Sequence, residues 1–268
     1  MSTARIRIGL HGAMGRMGLR LVQLMAADPR VELVAAVDRS RLGEDAGVAA
    51  GVGPLGVSVQ TLEALDLNAA RPDAFIDFSH PSATSEITAY CRRGRIPVVV
   101  GTTGLEADQG EQLSAAAAEI PVLTSPNMSR AVNVLMKLVG QAAAAMGVEA
   151  DVEIIERHHR LKKDAPSGTA LRLAEIVEAA TGAGPLVHGR EGQVGERPRG
   201  EIGMHAVRAG DCPGEHTVMF AVGGDTLELS HRALNRDGFV RGAIDAAVFL
   251  AGKPPGSYTM AHVLESAR

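Results

Sequence analysis

Short apolar runs alternate with helical stripes along the first half of the chain. The runs RIRIGL (5–10), VELVAAV (31–37), AFIDF (74–78), IPVVV (96–100) and IPVL (120–123) are rich in Val and Ile and end in Gly, Asp, Ser or Thr, which predicts strands. They lack polar alternation, as expected of parallel strands covered on both faces. Between them, Met17, Leu21, Leu24 and Met25 share one side of a helix over 15–27 that Asp28-Pro29 stops, and an alanine run favours a helix over 105–119. The alternation predicts an α/β fold whose first domain, 1–128, is a Rossmann-type doubly wound parallel sheet.

From about residue 129 the pattern changes. SRAVNVLMKLVGQAAAAMG reads as one helix, with Ser129 as its N-cap and Gly147 as its stop. Strand-like runs follow at 151–159, 201–209, 215–222 and 225–231, the last two joined by a Gly-Gly-Asp hairpin turn. This predicts a smaller α+β domain over 129–235, with a mixed or antiparallel sheet. Residues 186–203 are rich in Gly and Arg without an apolar period, and are expected to form a long, mobile loop near a second site. Residues 237–251 form a last amphipathic helix.

Composition narrows the class. With 27 basic and 31 acidic residues the formal charge is −4, which gives a nucleic-acid surface no global support. Aromatic residues make up 3% and Trp is absent, so base-stacking platforms are not expected either. The apolar part of MSTARIRIGLHG is too short for a signal peptide, and no apolar run approaches the ~20 residues of a membrane span. Two cysteines make neither a disulfide framework nor a zinc site. The expectation is a soluble cytoplasmic enzyme.

The turn after the first strand reads GLHGAMGRMG, a GxxGxxG arrangement of Gly12, Gly15 and Gly18. Gly12 permits a tight turn, Gly15 lets a pyrophosphate approach amides at the helix start, and Gly18 allows close helix–strand packing. Asp38 ends the second strand about twenty residues beyond Gly18, where an acid can accept the adenosine ribose hydroxyls. Three glycines near a helix start can also be mere turn chemistry, but strand, helix and acid agree in placement. Asp38 repels a 2′-phosphate, while Arg39 can stack on adenine, pair with that phosphate, or stand as a solvated cation. NADH is expected to serve at least as well as NADPH. Two later loops, Gly101-Thr102-Thr103-Gly104 and Ser125-Pro126-Asn127-Met128, leave the carboxyl ends of strands, where a nicotinamide can be admitted. His80 suits a loop or a site equally.

The stretch ERHHRLKKDAPSGTA (156–170) raises the second question. On a strand, His158 and His159 project to opposite sides, so they cannot ligate one metal together, and no metal site is expected. Pro166 and Ser167 open a helix whose first residues, Gly168 and Thr169, offer amides to a carboxylate or phosphate, and Lys162 or Lys163 adds charge. An acid near neutral pH, an ammonium and an anion cradle lie together in this reading. A capped helix after a charged loop is the plainer alternative.

The segments GAMGRMG, GTTG, EIIERHHRLKKDAPSGTA, RAGDCPGEHTVMF and LELSHRA together resemble the bacterial 4-hydroxy-tetrahydrodipicolinate (dihydrodipicolinate) reductase family over essentially the whole chain. The resemblance implies reduction of a cyclic dicarboxylate with NADH or NADPH on the diaminopimelate route to lysine. It implies a pyrophosphate loop of Gly12, Ala13, Met14, Gly15, Arg16 and Met17, with Asp38 and Arg39 at the adenosine. It places Gly101, Thr102, Thr103, Ser125, Pro126, Asn127 and Met128 at the nicotinamide. His158 resembles the family's proton donor and Lys162 its second, with His159, Gly168 and Thr169 on the substrate carboxylates. The family commonly has Glu where this chain has Asp38, which bears on the balance between the two nucleotides. The resemblance further implies that 236–268 returns to the nucleotide domain and that the substrate domains assemble a homotetramer.

Two rival readings fit parts of the pattern. A dehydrogenase of the aspartate-semialdehyde type needs an activated cysteine, and neither Cys91 nor Cys212 has a convincing base beside it in sequence. A non-catalytic NAD(H)-sensing protein would keep GAMGRMG and Asp38 but has no use for His158, Lys162 and a helix-start anion site together.

Overall fold

The computed structural model describes residues 4–266. In chain order the elements are β1 (Ile6–His11), α1 (Arg16–Ala26), β2 (Val31–Val37), α2 (Ala46–Ala49), β3 (Val59–Gln60), α3 (Leu67–Ala70), β4 (Ala74–Asp77), α4 (Pro81–Gly94), β5 (Val98–Val100), α5 (Ala107–Ala117) and β6 (Pro121–Thr124). Then come α6 (Arg130–Met146), β7 (Asp151–His158), α7 (Gly168–Thr181), β8 (Leu186–His188), β9 (Ile202–Arg208), β10 (Glu215–Val222) and β11 (Asp225–Arg232). The chain ends with α8 (Asp237–Leu250), β12 (Gly256–Tyr258) and α9 (Met260–Ser266). It forms two units, one from the chain up to Arg130 together with the stretch from Asp237 onward, the other from Ala131–Arg236.

The first unit is a seven-stranded sheet in the order β12-β6-β5-β4-β1-β2-β3, with every pair parallel. Its central strands are buried on both faces, and their side chains divide with a period of two. Ile8, Leu10, Ile76, Val99 and Leu123 pack beneath α1 and α8. Phe75, Val98, Val100 and Val122 pack beneath α4 and α5. Fully burying a side chain such as Phe75 stabilises the fold by roughly 1.5–3 kcal/mol. The strand order reverses between β1 and β4, so the ends of those strands, His11 and Asp77, flank the crevice where open α/β sheets bind ligands. The expected doubly wound sheet is present; β3, β12 and α9 are additions the apolar pattern did not announce.

The second unit is a five-stranded mixed sheet in the order β11-β10-β7-β9-β8. β7 runs antiparallel to β10 and parallel to β9. One face is buried: Val152, Ile154, Val218 and Phe220 pack against Leu135 and Val139 of α6 and Leu173 and Val177 of α7. The expected hairpin joins β10 to β11 through Gly223 and Gly224, at φ +62° and +91°, a turn that side chains disfavour.

One expectation is corrected. The 186–203 segment is not a free loop: it contains β8, and its arginines are anchored. Arg190 pairs with Glu153 at 2.9 Å and with Glu201, and Arg197 pairs with Asp151 at 2.7 Å. The partners Asp151 and Glu153 sit on β7, far off in sequence, so a local reading sees only polar, glycine-rich chain.

Helix α8 crosses the loop after β6 so closely that a β-carbon at Gly242 would lie 1.8 Å from the Met128 carbonyl oxygen. Gly242→Ala should therefore destabilise the protein by about 1–3 kcal/mol, the usual cost of overpacking. Thermal or urea unfolding checks this; an unchanged midpoint would mean that helix and loop part without cost.

Candidate active site

The β1–α1 turn is shaped by contacts that exclude side chains. Gly12 has φ +79°, and a β-carbon there would lie 2.5 Å from the Phe78 carbonyl oxygen. At Gly18 it would lie 2.1 Å from the Gly12 carbonyl oxygen. Gly15, the N-cap of α1, has no capping side chain, so the first amides of α1 can turn to an anion. The adjoining cleft of about 640 Å³ is lined by His11, Gly12, Gly15, Asp38, Arg39 and Phe78 among others. Arg16, the first residue of α1, is exposed, while Met14 and Met17 pack against the core. Ala13 is fully buried, leaving only its backbone for a ligand.

Asp38 organises the far side of this cleft. Its Oδ2 accepts from Met14 N–H at 2.8 Å, and its Oδ1 accepts from Arg39 N–H, Ser40 N–H and Ser40 Oγ–H at 2.8–2.9 Å. Burial opposes ionisation, but hydrogen bonds from Ser40, Met14 and Arg39 outweigh it and hold the carboxyl below its usual range. Oδ2 carries one protein donor and keeps acceptor capacity for a ribose hydroxyl. Arg39 is largely exposed, 3.4 Å from Glu86.

At the reversal of strand order the fully buried Asp77 joins several elements. It accepts from Thr84 Oγ1 at 2.9 Å, Thr102 Oγ1 at 3.0 Å and Ser79 N–H at 3.2 Å, and meets His11 Nδ1 at 2.8 Å. Thr102 therefore holds the Gly101–Thr103 loop against β4, with Gly101 N–H on the Asp77 carbonyl at 2.9 Å and Thr103 left exposed. In the loop after β6, Ser125 Oγ donates to the Asn127 carbonyl at 2.8 Å and Asn127 Oδ1 accepts from Ser129 N–H at 2.9 Å. Pro126 is exposed, whereas the Met128 side chain lies in the core. His80 caps α4 through its ring.

The second unit gathers the other residues at the end of β7. Glu156 and His158 lie two apart on one strand and so face the same way. His158 Nδ1 is 2.6 Å from Glu156 Oε2, and Glu156 is wholly buried. Across the sheet His158 stands opposite Arg208 of β9, and Glu156 opposite His216 of β10. Arg208 donates to both Glu156 oxygens at 2.8 Å each and to the Asp164 carbonyl at 2.6 Å. Ser167 N–H donates to Glu156 Oε1 at 3.0 Å. Ser167 Oγ caps α7 by accepting from Ala170 N–H and lies 3.1 Å from His216 Nε2. The rings of His158 and His216 meet edge to face at 5.3 Å, and His231 stacks beyond at 6.1 Å.

Three further residues border this cluster. Gly214 has φ +151°, and a β-carbon on it would lie 2.9 Å from His158 Nε2. Gly168, at the first turn of α7, faces open space. Lys162 Nζ stands 2.9 Å from Asp164, and its charge reaches His158. Thr169 is nearly buried beside Gly168, and His159, just past β7, has a buried Nδ1 without a hydrogen-bond partner among the described residues.

Burial lowers the pKa of His158; Glu156 pulls it up, Lys162 and Arg208 push it down, and the balance falls below the ordinary value. Burial also raises the Glu156 carboxyl, but Arg208, His158 and Ser167 N–H overcome it, so Glu156 is an anion. His216, with burial first and its neighbours His158 and His231 next, is driven down to about 3.

Sequence reasoning singled out His158, His159, Lys162, Gly168 and Thr169 but passed over Glu156, Arg208, Gly214 and His216. Glu156 had a signal in the Glu-x-His spacing on a strand. The others meet it only through sheet pairing. Cys91 is fully buried with its pKa raised by burial, so it is not an activated thiolate, and Cys212 donates to the Arg157 carbonyl. Among the described residues no group of His, Cys, Asp or Glu is arranged to hold a metal ion, and no helix is long and apolar enough to cross a membrane.

A parallel sheet with a glycine-rich β1–α1 turn, in a chain whose second unit holds a buried Glu156–His158 pair, suits a nicotinamide-nucleotide oxidoreductase. Comparison with known proteins makes the assignment specific. Family models described as dihydrodipicolinate reductase, N-terminus and C-terminus, match residues 6–128 and 131–264. A 4-hydroxy-tetrahydrodipicolinate reductase of Rhodopirellula baltica is 47% identical, over 98% of this chain and 97% of its own. One from an Anaeromyxobacter species is 46% identical, over 97% of each. The solved structure of a dipicolinate-bound dihydrodipicolinate reductase from Paenisporosarcina sp. TG-14 is 27% identical, with a TM-score of 0.77 over 96% of this chain and 98% of that one. An amine dehydrogenase from Mycobacterium smegmatis, 15% identical with a TM-score of 0.67, shares the fold. The chain belongs to the dihydrodipicolinate reductase family, NAD(P)H-dependent oxidoreductases of the diaminopimelate route to lysine.

The depressed pKa of His216 has a consequence for stability. Folded His216 stays neutral down to about pH 3, whereas the unfolded side chain takes a proton near pH 6.5. Its contribution is therefore complete above pH 6.5 and is lost as pH falls from there toward 3. Between pH 7 and pH 4.5 this amounts to on the order of 2 kcal/mol, at about 1.4 kcal/mol per pKa unit. His216→Asn should lose less stability than wild type over that interval in urea unfolding; equal losses would exclude His216 as the source.

Proposed function

We propose that the protein reduces 4-hydroxy-tetrahydrodipicolinate to tetrahydrodipicolinate, with His158 as the proton donor. The observation that carries the reading is the His158 ring, held at Nδ1 by Glu156, with Gly214 placing no side chain against Nε2 and Lys162 within electrostatic reach. The substrate class suits the surroundings. A cyclic dicarboxylate needs cations and helix-start amides for its carboxylates, for which His159, Gly168 and Thr169 are the proposed contacts. Lys162, now on Asp164, would exchange that partner for a substrate carboxylate and act as second proton donor.

NAD(P)H, when bound, supplies the hydride. The proposed holders are the Gly12–Met17 turn and Asp38 with Arg39, then Gly101, Thr102, Thr103 and the Ser125–Met128 loop. The small Gly12–Gly18 turn and the remaining acceptor capacity of Asp38 support this fit. The reading extends to a cytoplasmic location and to a homotetramer, the assembly supported by the exposed Ile155 and Val207 on the helix-free face of the second sheet.

With freshly generated substrate, His158→Gln should cut turnover by roughly 10²-fold, the scale of a lost general acid. NADH affinity should stay near wild type. A folded variant with wild-type turnover would remove His158 from the chemistry. Asp38→Ala should weaken NADH binding more than NADPH binding, since the carboxylate both accepts a ribose hydroxyl and repels a 2′-phosphate. Titration of both nucleotides checks this, and a wild-type preference for NADPH would contradict it.

A further inference from the structure

We propose that Glu156, clamped by Arg208 and Ser167 N–H, is the positioning residue for His158: it holds the proton on Nδ1 and so commits Nε2 to the substrate. The inference rests on the reading of His158 as the acid. The geometry allows one consistent arrangement. Glu156 Oε2 is 2.6 Å from His158 Nδ1, with Glu156 fully and His158 largely buried. As an anion Glu156 can only accept, and its other contacts, two from Arg208 and one from Ser167, are all donors. Nδ1 must therefore carry a hydrogen whether the ring is neutral or cationic. The exchangeable proton resides on Nε2, the atom beside Gly214.

The proton step follows. Hydride addition leaves an electron pair on the substrate ring. The Nε2–H bond of imidazolium His158 breaks, its pair stays on Nε2, and the proton joins the pair on the substrate. The ring becomes neutral and still donates Nδ1–H to Glu156. The same carboxylate holds the first residue before α7, so acid and anion cradle are set at a fixed mutual distance. A histidine oriented by a buried carboxylate keeps one tautomer and one ring rotation.

The charged and titratable groups facing His158 are Glu156 on its own strand, Arg208 on β9, His216 on β10 and Lys162 in the following loop. Removing Glu156 takes away the influence that raises the His158 pKa; removing Arg208 takes away one that lowers it. For a general acid, turnover falls as pH rises through its pKa. Glu156→Gln should therefore move the falling limb of the kcat profile to lower pH and reduce kcat at pH 7 by about tenfold or more. Arg208→Met should move the limb to higher pH. NADH dissociation constants should stay within about twofold in both, since the nucleotide residues lie in the other unit.

The direct readout is ¹⁵N NMR of imidazole-labelled protein, with the His158 signals assigned by their loss in His158→Gln. Wild type should show neutral His158 protonated at Nδ1, and Glu156→Gln should show that preference weakened or reversed. If Glu156 only supports the fold, Glu156→Gln will melt earlier but leave both the limb and the tautomer in place, which overturns the proposal. Should Glu156→Gln not fold, the Arg208→Met limb decides: a shift to higher pH supports the coupling, and none overturns it. Failure of the acid assignment reads differently. In that case His158→Gln retains turnover, while the tautomer still reports whether Glu156 orients the ring.

Discussion

A carboxylate sealed from water must be satisfied by its neighbours, and Glu156 is one: fully buried, ionised and met by donors on both oxygens. Leaving such a charge without a partner costs about 3–5 kcal/mol, a large share of a domain's net stability. Every group that answers it is therefore constrained in place. Arg208 ties in β9, Ser167 fixes the start of α7, and the His158 ring is held at one rotation. The His158 ring and the start of α7 belong to one network because the same carboxylate holds both.

The first unit uses the same device. Asp77 is as buried as Glu156, sits at a strand end, and holds His11 by Nδ1 while taking donors from Thr84, Thr102 and Ser79. Its effect is to lash the Gly101–Thr103 loop to the point where strand order reverses. In each unit a loop that should meet a ligand is set by hydrogen bonds to an inner carboxylate. Both loops thus owe their order to buried hydrogen bonds more than to surface ion pairs such as Lys162–Asp164, which contribute little and weaken with salt.

What the sequence disclosed follows the range of each interaction. Periodicity found the central strands because burial on two faces is a local property of runs such as AFIDF and IPVVV. Glycine spacing marked the β1–α1 turn because Gly18 is crowded by the Gly12 and Ala13 backbone a few residues away, whereas the crowding of Gly12 by Phe78 and Ser79 comes from β4's end and has no local signal. His158, Lys162, Gly168 and Thr169 lie in one continuous stretch and were read together. Arg208 and His216 reach Glu156 through β9 and β10, partners that no local pattern names. The anchoring of Arg190 and Arg197 was hidden for the same reason, and so 186–203 looked like a free loop. Ala13 and Met128 sit within motifs yet turn their side chains to the core, a distinction that motif matching does not draw.

If the clamp acts through the acid, the two residues share one contribution to catalysis. A double-mutant cycle on turnover measures this with His158→Gln, Glu156→Gln and the combined variant. Strong coupling is expected: once His158 is Gln, loss of Glu156 should reduce turnover little further. Independent losses that multiply in the combined variant would contradict a carboxylate that works by orienting the proton donor.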